Sequence, residues 1–250
     1  MEKLPTNKAA GSPEKLCEKP LGEHFRELRQ RVIWCAASVA VTFFVIFSFF
    51  ADQLMELIIS PVKRQGVEFI YVGLADALGA QAQISLICSV IVASPFLFWQ
   101  LWAFVKPALY QKEKQRVLTF FFASLFLFVL GVVFGYLVVF LSAITFFVYV
   151  GKDIAKPLLA ISDFVSFLLG FVVPFGVVFE MPVLSYVLSK MHLVTARQLI
   201  ALRKYIILLI FIIAAILTPP DVLSQVLMAL PMLVLYEVGI LVVKLTEKAS

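Results

Sequence analysis

The side chains able to do chemistry in this chain of 250 residues are few, and the informative ones are acids. Glu180 is the only charged residue between Phe164 and Leu188, an apolar run of 25 residues. As helix that run extends about 37 Å at roughly 1.5 Å per residue, which puts the carboxylate near the middle of a bilayer. An acid left in hydrocarbon costs several kcal/mol, so Glu180 should face a bundle interior or a water-filled cavity, and its default reading is functional. The plain alternative is a packing acid hydrogen-bonded to a neighbouring helix. Glu27 and Glu113 lie just outside apolar runs, in segments rich in Lys and Arg. Each alone reads as a solvated acid. Together they offer two carboxylates to a cationic partner with paired guanidinium groups, because the arginine fork matches a carboxylate bidentately. Asp221 and Gln225 stand one turn apart at the start of the last apolar run, where Asp221 suits a helix N-cap.

Enzyme motifs are missing from the sequence. It has no phosphate-binding glycine loop and no metal-ligand spacing. His24 and His192 fall in interfacial segments that suit a solvated surface, and Cys17, Cys35 and Cys88 show no pairing or metal pattern. The expectation is a protein without catalysis of its own, without a cofactor and without a bound metal.

Helices in lipid must position these acids. The chain is 62% hydrophobic and 15% charged with 25 Phe, and its mean hydropathy is +1.01. Soluble domains hold about 45–50% apolar and about 25% charged residues. Apolar runs of span length, in place of short alternating strands, specify a helical membrane protein and exclude a β-barrel. Six spans are expected: Ile33 to Phe50, Ile84 to Phe104, Leu118 to Val150, Phe164 to Leu188, Tyr205 to Leu217 and Val222 to Val243. The third, at 33 residues, must tilt or project beyond a hydrocarbon core of roughly 30 Å. The fifth has only 13 apolar residues and stops at Pro219-Pro220. It is too short to cross unaided.

Of the Lys and Arg outside these spans, 17 fall on one side and only Lys63, Arg64, Lys152 and Lys156 on the other. Positive charge is retained in the cytoplasm, so both termini are expected there, with the protein in the cytoplasmic (inner) membrane. The net charge of +5 then reflects topology, and no basic motif with interleaved aromatics suggests nucleic acid. The polar start is no cleavable signal peptide. Residues 1–20 read as a disordered tail, and residues 21–245 as the membrane domain.

Finer signals divide the spans. Leu21, Phe25, Leu28 and Val32 recur at helical spacing, as in an amphipathic helix at the interface that runs into span one. Leu54, Leu57 and Ile58 followed by Pro61 suggest a short surface helix ended by proline. Thr195 with Gln198 forms a candidate capping box. Pro95, Pro174, Pro182 and Pro231 lie inside spans and favour kinks, and Pro174 and Pro182 bracket Glu180. Gly131 and Gly135 form a small-xxx-small helix-contact pair.

The strings HFRELRQR (24–31), SPFLFWQLWAFVKPALYQKEK (94–114), FGVVFEMP (175–182), LTPPDVLSQVLMALPM (217–232) and LYEVGI (235–240) resemble the TatC family, the multispanning core of the twin-arginine protein translocase. The likeness extends over residues 21–245. It implies an all-α, concave, glove-like bundle of six transmembrane helices with two short final helices and both ends cytoplasmic. It also implies recognition of folded exported proteins by signal peptides carrying consecutive arginines. Glu27 and Glu113 match the family's signal-recognition acids, with Arg29, Phe104, Pro107, Leu109 and Tyr110 in the surrounding motif. Glu180 matches the intramembrane acid of the concave side, Asp221 and Gln225 match polar positions near the far end, and Pro61 matches the proline of the first outer loop. The implied partners are single-span TatA- and TatB-type proteins, further copies of the chain within a complex, and lipid, with the proton motive force driving transport without ATP. The stretch LADALGAQAQIS (74–85) departs from the family, which carries a Pro-Phe motif and a lysine near the start of span two. The alternative on the residues alone is a secondary transporter of a small solute or proton with Glu180 as its coupling site.

Overall fold

The computed structural model describes residues 21–106, 117–151, 157–218 and 221–248. Residues 1–20, Pro107, Leu109, Tyr110, Glu113, Pro219 and Pro220 therefore lie outside the described part. Its elements in order are α1 (Leu21–Phe49), α2 (Ala51–Lys63), β1 (Glu68–Ile70), α3 (Asp76–Val105), α4 (Val117–Phe134), a π-helical segment (Gly135–Phe140), α5 (Leu141–Gly151), β2 (Leu158–Ala160), α6 (Ile161–Val178), α7 (Met181–Lys190), α8 (Ala196–Leu217) and α9 (Val222–Lys248). Six of the resulting helical stretches are long and apolar enough to cross a membrane. Span three is α4, the π segment and α5 together, and span four is α6 with α7. The last two spans, of 22 and 27 residues, are shorter than the 30, 35 and 30 residues of spans two to four. An even number of crossings leaves both ends of the described chain on one side.

Span four is the hub. In its most apolar window 44% is buried, against 6% for span one and 11% for span five, which are the edges of the bundle. The α1 helix packs mainly on α3, α3 packs on α4 and α6, α9 packs on α7, and α8 packs on α9. The core is aromatic: Phe140, Phe164, Phe171 and Phe175 are fully buried. Phe140 meets Phe164 edge-on with centroids 5.4 Å apart, within the range where such pairs add to simple area burial. Spans three and four approach this closely because Gly131 and Gly135 leave a notch, as their spacing suggests. A Cβ on Gly131 would lie 2.6 Å from the Phe175 carbonyl oxygen and 2.8 Å from the Phe179 Cβ.

Several expectations about helix ends change. Pro61 does not end α2, which continues to Lys63. The N–H that proline lacks would have bonded the Leu57 carbonyl; instead the Ser60 hydroxyl donates to it at 3.2 Å. The device recurs at Pro95, inside an unbroken α3, where the Ser94 hydroxyl donates to the Ile91 carbonyl at 2.7 Å. Pro174 and Pro231 are also carried without interruption. Only at Phe179 and Glu180, between Pro174 and Pro182, is a span broken. There the Glu180 N–H turns back to the Val177 carbonyl at 3.1 Å, a tighter turn than α. Pro182 then sits in the first turn of α7, where no N–H is required.

Span two starts at Asp76, eight residues before the apolar run, so the divergent stretch LADALGAQAQIS is mostly helix. The Asp76 carboxylate fixes the turn before it by accepting the N–H groups of Gly73 at 2.7 Å and Val72 at 3.1 Å. Span five likewise starts at Ala196, giving 22 residues where the apolar run has 13, because the capping box forms. The Gln198 N–H reaches the Thr195 hydroxyl and the Thr195 N–H reaches the Gln198 side chain. The α7 helix closes with His192 in the left-handed region (φ 56°). Its N–H bonds Ser189 and that of Leu193 bonds Leu188, the Schellman pattern usually built on glycine.

On the side away from the termini, β1 and β2 pair in parallel, Glu68 opposite Leu158 and Ile70 opposite Ala160. This joins the loops that follow spans one and three. Beneath it the Tyr136 hydroxyl donates to the Ile58 carbonyl of α2 at 3.2 Å, and Phe69 packs edge-on against Phe164.

Because the Gly131 notch admits no Cβ, Gly131→Ala should destabilise the fold by about 1–3 kcal/mol through overpacking. Gly79 has nothing within 4 Å of an added Cβ, so Gly79→Ala should be neutral or stabilising. Thermal unfolding in detergent distinguishes the two, and an undiminished midpoint for Gly131→Ala would refute the close approach.

Candidate functional site

Glu27 lies on the first turns of α1, where helical spacing sets Arg31 one turn further on the same face. The Arg31 guanidinium donates to Glu27 Oε1 from Nη2 at 2.7 Å and from Nε at 3.2 Å. Its third nitrogen, Nη1, crosses to span two and donates to Gln100 Oε1 at 3.0 Å. The pair is half-buried, with side-chain exposures of 23% for Arg31 and 27% for Glu27. Arg29 is exposed and Phe104 half-buried. At 100° per residue Phe104 returns to within about 40° of Gln100 on α3, so the end of span two brings it to the side that α1 occupies.

Two residues from Gln100 in either direction, about 200° around the helix, Phe98 and Trp102 face the opposite way. They line a groove of about 330 Å³ together with Leu101, Ser124, Glu180 and Leu184. Glu180 is half-buried at the break in span four, with Ser124 beside it in the groove lining. Its Oε1 has no partner among the described residues, and neither has the indole N–H of the buried Trp102. The groove is otherwise apolar, its wall built by Trp102 against Phe120 (5.4 Å between centroids) and Phe120 against Tyr186 (5.2 Å). The acid thus sits in this wall at the one turn where α6 gives way to α7.

At the far end, Asp221 caps α9 as expected, its Oδ1 accepting the Ser224 N–H at 2.7 Å. Gln225 donates to the Phe211 carbonyl at 3.1 Å and so ties α9 to α8. Asp221 Oδ2 and the Ser224 hydroxyl are buried without partners among the described residues.

The candidate residues within the described part thus fall in three places: a rim beside α1 and the end of α3, a groove at mid-depth, and the α8–α9 end. Span two separates the first from the second. Sequence reasoning missed Arg31 and Gln100 at the rim and Ser124 and Trp102 in the groove. The four-residue spacing of Glu27 and Arg31 was a usable signal for the first pair member, whereas Gln100, 69 positions away, carried none. It also missed the Arg203–Glu237 ion pair at 2.8 Å between α8 and α9, and Glu247, which accepts the Ala196 N–H at 2.8 Å. A solute-coupling site at Glu180 finds no support in this geometry, since Ser124 is the one other polar side chain besides the Trp102 indole that lines the groove among the described residues.

The family described as Sec-independent protein translocase protein (TatC) matches residues 23–231. A TatC protein of Carboxydothermus hydrogenoformans is 37% identical over 230 residues, 91% of this chain and 94% of its own. One of Aquifex aeolicus is 39% identical over 233 residues, 92% and 96% of the two chains. A crystal structure described as the twin arginine translocase receptor TatC superposes with a TM-score of 0.83 at 38% identity, covering 90% of this chain and 99% of that one. The six-span order, the break at the intramembrane acid and the rim beside Glu27 are therefore those of a chain that belongs to the TatC family.

Proposed function

We propose that this protein is the receptor and core subunit of a twin-arginine translocase. It binds the twin-arginine signal peptides of folded precursors and passes them across the cytoplasmic membrane using the proton motive force, with no catalysis of its own. One observation carries the reading: the Glu27 carboxylate, on the rim beside span two, accepts a guanidinium fork at 2.7 and 3.2 Å. A carboxylate placed to receive one arginine side chain in this way suits the arginines of a signal. Glu113, with Pro107, Leu109 and Tyr110, supplies the second acid from the segment that follows α3 in the sequence, and Arg29 and Phe104 belong to the same recognition motif. The distribution of 17 basic residues on the side of the termini against four on the other favours a cytoplasmic rim and cytoplasmic termini.

The apolar part of the signal passes over the end of span two into the groove of Phe98, Trp102 and Leu184. There Glu180 and the Trp102 indole offer an acceptor and a donor to a polar group of a partner helix or to water. Single-span TatA- and TatB-type proteins, further copies of this chain and lipid complete the assembly, the first of these against spans four to six with Glu180, Asp221 and Gln225 as their polar contacts.

Charge-assisted hydrogen bonds of this kind are worth about 1.5–3 kcal/mol, and about 1.4 kcal/mol is tenfold in binding. Glu113→Ala should therefore weaken binding of a twin-arginine precursor by about 10- to 100-fold, and abolish its co-purification, while leaving membrane insertion intact. Undiminished precursor binding would sink the assignment. Glu180→Leu should unfold at the same temperature as the parent or higher, since it removes an acid from an apolar groove, yet lose export in cells lacking the native protein. A large loss of stability would instead make Glu180 a packing acid.

A further inference from the structure

Glu27 does not await a ligand empty-handed. Its carboxylate already carries the guanidinium of Arg31, through Nη2 at 2.7 Å and Nε at 3.2 Å on the same oxygen. A plain i, i+4 helix pair would end there. Arg31 goes further, with Nη1 on the Gln100 side chain at 3.0 Å and near the Gln100 carbonyl at 3.5 Å, so span two holds the guanidinium over the acid. Exposures of 23% and 27% leave the pair within reach of an arriving side chain.

We propose that Arg31 is an internal stand-in for a signal arginine, and that a signal binds Glu27 by displacing it. The inference rests on the reading of Glu27 as an arginine-holding acid. An incoming arginine replaces one planar fork with another, so the exchange is nearly balanced and the surrounding contacts decide it. An incoming lysine is a point charge without the fork and cannot recover what the displaced Arg31 gave up. Arg31 thereby raises the threshold for every cation and raises it more for lysine than for arginine. It is a specificity-determining residue acting through Glu27, and Gln100 is its positioning partner.

The test uses the full chain in nanodiscs, with a fluorescent synthetic twin-arginine signal peptide and its twin-lysine counterpart. Partly exposed ion pairs contribute about 0.2–1 kcal/mol, so Arg31→Gln should bind the twin-arginine peptide about 1.4- to fivefold tighter. It should gain more for the twin-lysine peptide, so that discrimination between the two falls. Arg31→Lys, which keeps the charge and loses the fork, should gain less but in the same order. Arg26→Gln removes the same charge from an exposed position five residues earlier on α1 and should change neither affinity nor discrimination. Unchanged or weaker binding by a folded Arg31→Gln, while Glu27→Gln weakens it, overturns the proposal and leaves Arg31 a tie between spans one and two. Equal gains from Arg26→Gln overturn it in favour of net charge. No effect of Glu27→Gln on either peptide refutes the underlying reading itself.

Discussion

Lipid offers no hydrogen bonds, and that constraint orders the rest of this structure. Each backbone N–H and C=O within the bilayer must find its partner inside the protein or forfeit several kcal/mol. Pro95 strips a partner from the Ile91 carbonyl in span two and the preceding serine hydroxyl takes over, as Ser60 does before Pro61 in the surface helix α2. The helices stay whole there, and α3 keeps one face for span one and the other for the groove. Just before Pro182 the helix breaks, and the tight turn there carries Glu180, the acid in the middle of that span. Intact helices set the walls and the broken one sets the site.

Close packing depends on the same economy of contact. Without a hydrophobic force between helices in lipid, small residues that let backbones approach do much of the work. Gly131 and Gly135 let span three lie against Phe171 and Phe175, and Gly170 lets α6 meet the end of α8 at Leu217. Span four is thus gripped from two sides, and its break is held by fixed surroundings. Spans one and five lie at the edges with most of their surface outward.

What the sequence made legible is what depends on neighbours in the chain. The six spans, the Thr195 capping box, the Asp221 cap and the glycine notch each follow from spacings of a few residues. The TatC resemblance extended that reading to the rim acids, whose chemistry alone is ordinary. The apolar run misplaces the start of span two, where polar residues from Asp76 begin a helix that lipid later continues. Hydropathy locates the hydrocarbon and not the helix. The β1–β2 pairing, the Tyr136–Ile58 bond and the Arg31–Gln100 contact join residues far apart in sequence, and no local pattern announces such meetings. Glu180 was conspicuous for its cost in the membrane, but its neighbours Ser124 and Trp102 were not, since each is unexceptional in its own helix.

The parallel pairing of β1 with β2 sets a timetable. Glu68 leaves the ribosome roughly ninety residues before its partner Leu158, a delay of about 5–20 s at about 5–20 residues per second. Two further spans must be threaded through the insertion machinery in that interval. Until then the loop after span one has an unmatched strand edge on the side away from the termini, and the clasp between the two loops closes only once span three has been delivered. The bundle is thereby fastened on the side away from its termini, late in its own biogenesis.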